Sequence, residues 1–220
     1  LHAFEIDRHE VTVAQYRRCV AAGGCDGRKV NGVELPGQVP FSKSKRCNAG
    51  HGDRASHPQN CVNHAEAAAY CAWAKKRLPS EAEWAKAARS TNGRRLPWGN
   101  EVLSCDHAVF NDHKGKGEGC GKRGSWPVGS RSPRGDSAYG VRDLLGNVAE
   151  WVGDRWAVDA PEKGPKKDPK GPQSGKRWTV RGGSFTSKDL DEKRLDALTR
   201  IGLPPAYRLE DIGFRCARSR

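Results

Sequence analysis

Eight cysteines constrain this chain more than any other feature: Cys19, Cys25, Cys47, Cys61, Cys71, Cys105, Cys120 and Cys216. An even number of cysteines without zinc-type spacing reads as a disulfide framework. Such a framework belongs to an oxidising compartment, so the expected location is extracytoplasmic, periplasmic or secreted. Many pairings are open to eight cysteines, and sequence alone does not choose among them. Spacing suggests three short loops, closed by Cys19 with Cys25, Cys47 with Cys61, and Cys105 with Cys120. Cys71 and Cys216 are left over. The competing reading is a metal site, for which His51, His57 and His64 near Cys47 and Cys61 are the one candidate. No C-x-x-C pair supports it.

A staple-dependent chain is also what the composition describes. Of the 220 residues, 35% are hydrophobic, and Gly and Pro number 26 and 13. Much of the chain must therefore run as loop, with seven Trp available to anchor it. No segment approaches the roughly 20 apolar residues that span a bilayer. The chain starts at Leu1, has no Met and shows no leader. It reads as an excised mature fragment of a larger protein. The net charge is +13. Its densest run, PEKGPKKDPKGPQSGKR up to Arg177, reads as a solvated loop. No aromatic precedes Trp178 there, so bases have no stacking platform and nucleic acid is not an expected partner.

Residues 4–10 alternate apolar and polar and predict a strand. Thr12 predicts the start of a helix carrying Val13, Tyr16, Cys19 and Val20, which Gly23 and Gly24 end. Asn63 with Glu66, and Ser80 with Glu83, have the spacing of capping boxes before two further helices. Leu78-Pro79 separates those helices. Beyond residue 92, short strand-like pieces alternate with turns: 96–100, 125–130, 139–147, 148–156, 178–185 and 212–219. The expected fold class is α+β, one domain over residues 1–220 with little regular structure.

Six blocks occur in a fixed order: EVTVAQY (10–16), AYCAWAKKRLPSEAEWAKAAR (69–89), LPWGN (96–100), YGVRDLLGNVAEWVGD (139–154), VRGGSF (180–185) and GFRCAR (213–218). Together they resemble the formylglycine-generating-enzyme, or sulfatase-modifying-factor, family over nearly the whole chain. The resemblance implies a variant of the C-type lectin fold, here without the glycine-rich hairpin that opens the family's domain. It also implies a bridge between Cys71 and Cys216. Finally, it implies a structural calcium ion at the GN-x-x-EW turn. The ligands carried over by position are the side chains of Asp143 and Glu150 and the carbonyls of Gly146 and Val148. Two carboxylates and two carbonyls in a tight turn suit calcium's need for several oxygens. The family's second calcium segment maps near Ala108–Phe110. Val109 falls where a side-chain oxygen is expected there, with Asn111 and Asp112 nearby.

The departure from the family lies in the catalytic pair. Catalytic members hold copper on two cysteines just after the GGS block, a soft thiolate pair suited to copper(I). Counted from Gly182-Gly183-Ser184 without gaps, those positions are Ser187 and Glu192. The segment SFTSKDLDEKRLDALTR holds no cysteine, so copper is not expected. The resemblance places the substrate groove at Ser184, Ser187, Glu192 and Trp151. Its charged segment, from Lys188 to Asp196, suits a polar ligand or a protein partner. Equally, Leu190, Leu195 and Leu198 have roughly the spacing of a solvated helix.

Three functions compete. The first is a noncatalytic ligand- or protein-binding sensory module, as in relatives that form extracytoplasmic parts of larger bacterial proteins, some of them kinase-linked. The second is an oxidoreductase-type enzyme, sulfatase-modifying or using nonheme iron supplied by another domain. This chain has no H-x3-H-x-E motif, and His107 and His113 come nearest in spacing. The third is polyanion binding through Lys163–Arg177.

Overall fold

In the computed structural model, residues 1–27, 44–158, 168–189 and 195–220 are described. Three helices form where the capping signals lie: α1 (Val13–Ala21), α2 (His64–Trp73) and α3 (Glu81–Arg89). Each begins with a complete capping box. Thr12, Asn63 and Ser80 accept from the backbone N–H of Gln15, Glu66 and Glu83, whose side chains accept in return. Two of the N-terminal donors that every helix leaves orphaned are thereby satisfied. Past α1, Gly24 N–H donates back to the Cys19 carbonyl at 2.9 Å. A Cβ on Gly24 would lie 2.2 Å from the Trp73 ring, so the turn must be this small to pack on α2.

The strands are short: β1 (Phe4–Ile6), β2 (Ala149–Arg155), β3 (Trp178–Arg181), β4 (Arg200–Leu203), β5 (Ile212–Phe214) and β6 (Ala217–Ser219). A four-stranded sheet has the order β4-β3-β2-β5, with β2 and β5 parallel and the other neighbours antiparallel. β1 pairs with β6, so the first and last residues of the chain lie side by side. The strand expected over 4–10 stops at Ile6. Asp7 and Val11 instead bond to the backbone of Cys216 and Phe214 outside the ladder. Three further pieces read as strand-like are turns. Residues 96–100 make a turn with a single Leu96–Gly99 bridge, while 125–130 and 139–147 carry left-handed residues at Gly129, Gly140, Asp143, Gly146 and Asn147. A strand cannot run through such a series.

Four disulfides hold these elements: Cys19–Cys25, Cys47–Cys61, Cys71–Cys216 and Cys105–Cys120. They are the three short loops of the spacing argument and the bridge the family resemblance implies. Cys71–Cys216 ties α2 to the turn between β5 and β6 inside the largest apolar cluster, with Tyr16, Tyr70, Trp151, Val180 and Phe214. A second cluster gathers Trp84 of α3 with Leu144 and Val152. A third packs Leu96, Phe110, Leu145 and Leu195 around Cys105–Cys120. Around Leu195 the chain bends and turns rather than forming the helix that leucine spacing suggested, and Leu190 lies outside the described residues. The lysine-rich run is described only from Asp168 onward, where it makes bends.

Candidate functional site

The GN-x-x-EW turn runs directly into β2, and its centre is Asn147, which is fully buried. All of its polar groups are used. Its N–H donates to the Val109 carbonyl at 2.7 Å, and its carbonyl accepts from Phe185 N–H at 2.9 Å. Its side-chain oxygen accepts from Trp126 N–H at 2.9 Å, and its amide donates to Glu10 Oε1 at 2.9 Å. Gly146 is required beside it, because a Cβ would lie 2.4 Å from the Val109 carbonyl oxygen.

Four charged groups are buried under this turn. Arg215 grips Glu150 bidentately, Nη2 to Oε1 at 2.7 Å and Nε to Oε2 at 2.8 Å. Trp84 Nε1 donates to the same Oε2 at 2.9 Å. Burial opposes the Arg215 charge, yet the Glu150 carboxylate outweighs it and raises the guanidinium pKa. Asp143 Oδ2 accepts from Gly129 N–H. Its pKa is raised, chiefly by burial. Glu10 is buried completely, and its Oε2 has no hydrogen-bond partner. Burial, then the Asp143 carboxylate, pushes its pKa well up.

Three carboxyl groups thus face one guanidinium. The surplus of negative charge, with an orphaned carboxylate oxygen, fits a divalent cation on its chemistry, since a buried unpaired acid is costly. The fit is at Asp143 and Glu10 rather than at Glu150, whose two oxygens are held by Arg215 and Trp84. Among the described residues, no three His, Cys, Asp or Glu side chains already form a metal cage. Backbone carbonyls would have to complete a calcium shell, as hard cations allow.

Phe185, held by the Asn147 carbonyl, leads from this turn to the segment where the family resemblance places a substrate groove. Ser184 Oγ donates to Asp211 Oδ2 at 2.8 Å, and Thr186 Oγ1 donates to the same oxygen at 2.7 Å. Ser187 Oγ accepts from Ser184 N–H at 3.0 Å. Ser184 and Ser187 therefore lie in one hydrogen-bonded turn. Trp151 does not join them. It is a core residue with no exposure, and its Nε1 donates to the Val62 carbonyl at 3.0 Å. It lies in β2 with partners on both sides, so it cannot line a groove. Glu192 lies outside the described residues. Asp211 and Thr186 were missed in the sequence. The one available signal was the acidic pair Glu210-Asp211 immediately before GFRC.

Among the described residues, Ser184 Oγ bonds to Thr186, Ser187 and Asp211 and to no imidazole. All eight cysteine sulfurs are in disulfides. Beside the groove, Arg46 lies over the Phe185 ring at 5.7 Å and pairs with Glu118 at 2.7 Å and Glu210 at 3.0 Å.

A stapled α+β domain, with a GGS turn packed on a GN-x-x-EW turn, defines a formylglycine-generating-enzyme-like variant of the C-type lectin fold. The chain belongs to the Sulfatase-modifying factor enzyme 1-like domain family, which matches residues 1–220. It is 37% identical over 175 residues to the formylglycine-generating enzyme of Thermomonospora curvata, covering 75% of this chain and 56% of that protein. It is 33% identical over 171 residues to the inactive C-alpha-formylglycine-generating enzyme 2 of Bos taurus, covering 75% of this chain and 51% of that one. The chain thus spans about half the length of these curated relatives. The structure of PvdO from Pseudomonas aeruginosa superposes with a TM-score of 0.69 at 26% identity, covering 99% of this chain and 80% of that one.

Proposed function

We propose that this domain is a noncatalytic, extracytoplasmic ligand- or protein-binding module built on the formylglycine-generating-enzyme scaffold. The observation that carries the reading is the fate of sulfur. The two positions of the family's reactive pair are Ser187 and Glu192, and every cysteine present is in a disulfide. A hydroxyl and a carboxylate are hard ligands and do not replace two thiolates on copper(I). That one similar protein is named inactive shows that the scaffold occurs without the activity. The groove would bind its ligand through Ser187 and Asp211, with Ser184 and Thr186 fixing the Asp211 carboxylate.

A structural calcium ion belongs to the same reading. Asp143, the carbonyls of Gly146 and Val148, and the orphaned Glu10 carboxylate would hold it, and it would supply charge compensation beneath the turn. The Glu150 side chain, expected as a ligand from position alone, would serve Arg215 instead.

The test is to supply the protein with copper, oxygen and a cysteine peptide bearing a sulfatase-type motif, and to follow the peptide mass. No oxidation is expected, and turnover in this chain alone would overturn the reading. For calcium, the melting temperature is expected to rise with added calcium and fall with chelator, by mass action on the folded state. An unchanged melting curve, with no calcium retained after desalting, would remove the metal from the proposal. A second reading is an oxidoreductase whose catalytic metal comes from another domain, with the Ser184–Asp211 pair at the groove. It requires iron-dependent turnover by the full-length protein.

A further inference from the structure

The net charge is +13, and two of the cations meet at one aromatic ring. Trp126 is fixed by two hydrogen bonds, its Nε1 to the Gly119 carbonyl at 2.8 Å and its backbone N–H to Asn147 Oδ1 at 2.9 Å. Two cations converge on its ring: Lys122 Nζ at 3.6 Å from the centroid and the Arg131 guanidinium at 4.0 Å. Among the described residues, neither is in a salt bridge with a carboxylate. Cation–π attraction offsets part of their mutual repulsion, and Arg131 also feels the fields of Asp106 and Asp143.

Further cations adjoin them. Lys116 Cβ lies 3.9 Å from the Cβ position of Gly121, one residue before Lys122. The Lys188 backbone bridges to Asn111, beside Asp112, whose carboxylate accepts from Lys116 N–H at 3.0 Å. On the other side, Arg54 and Lys122 both act electrostatically on His57. Two acids of this stretch pair with cations outside the belt, Glu118 with Arg46 at 2.7 Å and Asp106 with Arg134 at 3.2 Å, while Asp53 adjoins Arg54 and acts on His57.

We propose that the belt Lys188, Lys116, Lys122, Arg131 and Arg54 binds a linear polyanion carrying repeated phosphate or sulfate groups. Neighbouring like charges focus potential along the surface that carries them. The belt reads charge and not bases, because its aromatic ring is already covered by two cations. It begins one residue after Ser187, so a bound chain would pass the mouth of the groove. It differs from the lysine-rich run before Trp178, which the sequence alone singled out for polyanions.

The test uses the whole chain and three labelled probes of equal charge: a heparin oligosaccharide, inorganic polyphosphate and a single-stranded oligonucleotide. Binding of heparin or polyphosphate that weakens steeply between low and physiological salt is expected. The first probe identifies sulfate as sufficient and the second phosphate. Lys116→Gln with Lys122→Gln and Arg131→Gln should weaken binding about tenfold or more, through lost counterion release. Lys122→Arg with Arg131→Lys should keep it, and so should Lys166→Gln with Lys167→Gln and Lys170→Gln. If the triple belt variant fails to fold by circular dichroism, Lys116→Gln with Lys122→Gln replaces it, since both side chains are exposed. The proposal is overturned by any of three results: no binding of either acidic polymer at low salt, unchanged binding by the belt variants, or loss confined to the Lys166–Lys170 variant. Preference for the oligonucleotide over both other probes would overturn it as well.

Discussion

Arg215 is the residue whose removal discriminates most sharply between charge compensation and packing. Its guanidinium answers Glu150 directly and the fields of Glu10 and Asp143 at longer range. In Arg215→Met, three buried carboxyl groups lose the cation that acts on all of them. Breaking a buried pair from one side costs about 3–5 kcal/mol. Urea denaturation should show a fall of that order, and Glu150→Gln should fall less because Trp84 still has an oxygen to donate to. Calcium should recover part of the Arg215→Met loss by replacing the missing positive charge. Equal losses in the two variants would mean that shape, not charge, matters at this point.

His64 gives a pH signature at the same scale. It stacks on Trp178 at 3.9 Å, meets Trp151 edge-on, and donates from Nε2 to the Val152 carbonyl. Burial lowers its pKa to about 4. The unfolded imidazole titrates near 6.5. Above that value both states are neutral and the contribution is intact. As pH falls from about 6.5 towards 4, only the unfolded chain takes up the proton, and stability drops. The linkage amounts to roughly 3 kcal/mol across that window. Melting curves at pH 7 and pH 4.5 should differ more for the native protein than for His64→Gln. None of this was legible in the sequence, where His64 stood only as a possible metal neighbour of Cys61. Its partners come from β2 and β3, with the Val152 carbonyl 88 residues away in sequence. The same distance problem hid the Glu150–Arg215 pair and placed Trp151 in a groove. A glutamate beside a tryptophan in an acidic turn looks like a ligand until the arginine of the remote β5–β6 turn is brought to it.

At the scale of elements, helices were readable with their ends, and strands only in place: the pieces 4–10, 148–156, 178–185 and 212–219 contain β1, β2, β3, β5 and β6, three further pieces are turns, and β4 went unread. A helix declares itself locally: the capping residues of α1, α2 and α3 lie within three positions of each other, and all three boxes form. Asn63→Ala and Ser80→Ala should each cost about 1 kcal/mol. Both effects should appear as a lower thermal midpoint, and Ser80→Asp should largely preserve it. β4 went unread because RIGL offers no alternation, and its Gly202 reads as a turn. That glycine is there for contact, since a Cβ would lie 2.2 Å from the Trp156 ring. Turns containing Asp143 and Asn147 at positive φ were mistaken for strand because their flanks are apolar. The apolar residues there, Leu144 and Leu145, serve two different clusters.

For the whole molecule, little regular structure holds the ends together, and the covalent links carry a correspondingly large share. Cys71 and Cys216 are 145 positions apart, whereas Cys19 and Cys25 are 6 apart. In the chain-entropy model a crosslink stabilises by narrowing the unfolded ensemble, and its effect grows with the logarithm of the loop. The long bridge should then contribute about 5 kcal/mol and the short one about 2 kcal/mol. The long bridge also closes the same seam as β1–β6 pairing and the Asp7–Cys216 backbone bond, so its loss should free both chain ends together. Cys71→Ala with Cys216→Ala is expected to unfold at markedly lower denaturant, and hydrogen exchange should rise at β1, β6 and the end of α2. Cys19→Ala with Cys25→Ala should shift the midpoint less, with exchange confined to the end of α1. Equal midpoints for the two variants would argue that the long bridge merely reports packing already secured by Tyr70 and Phe214. A larger effect from the short bridge would argue that the α1 turn, braced against Trp73, is what keeps this loop-rich scaffold closed.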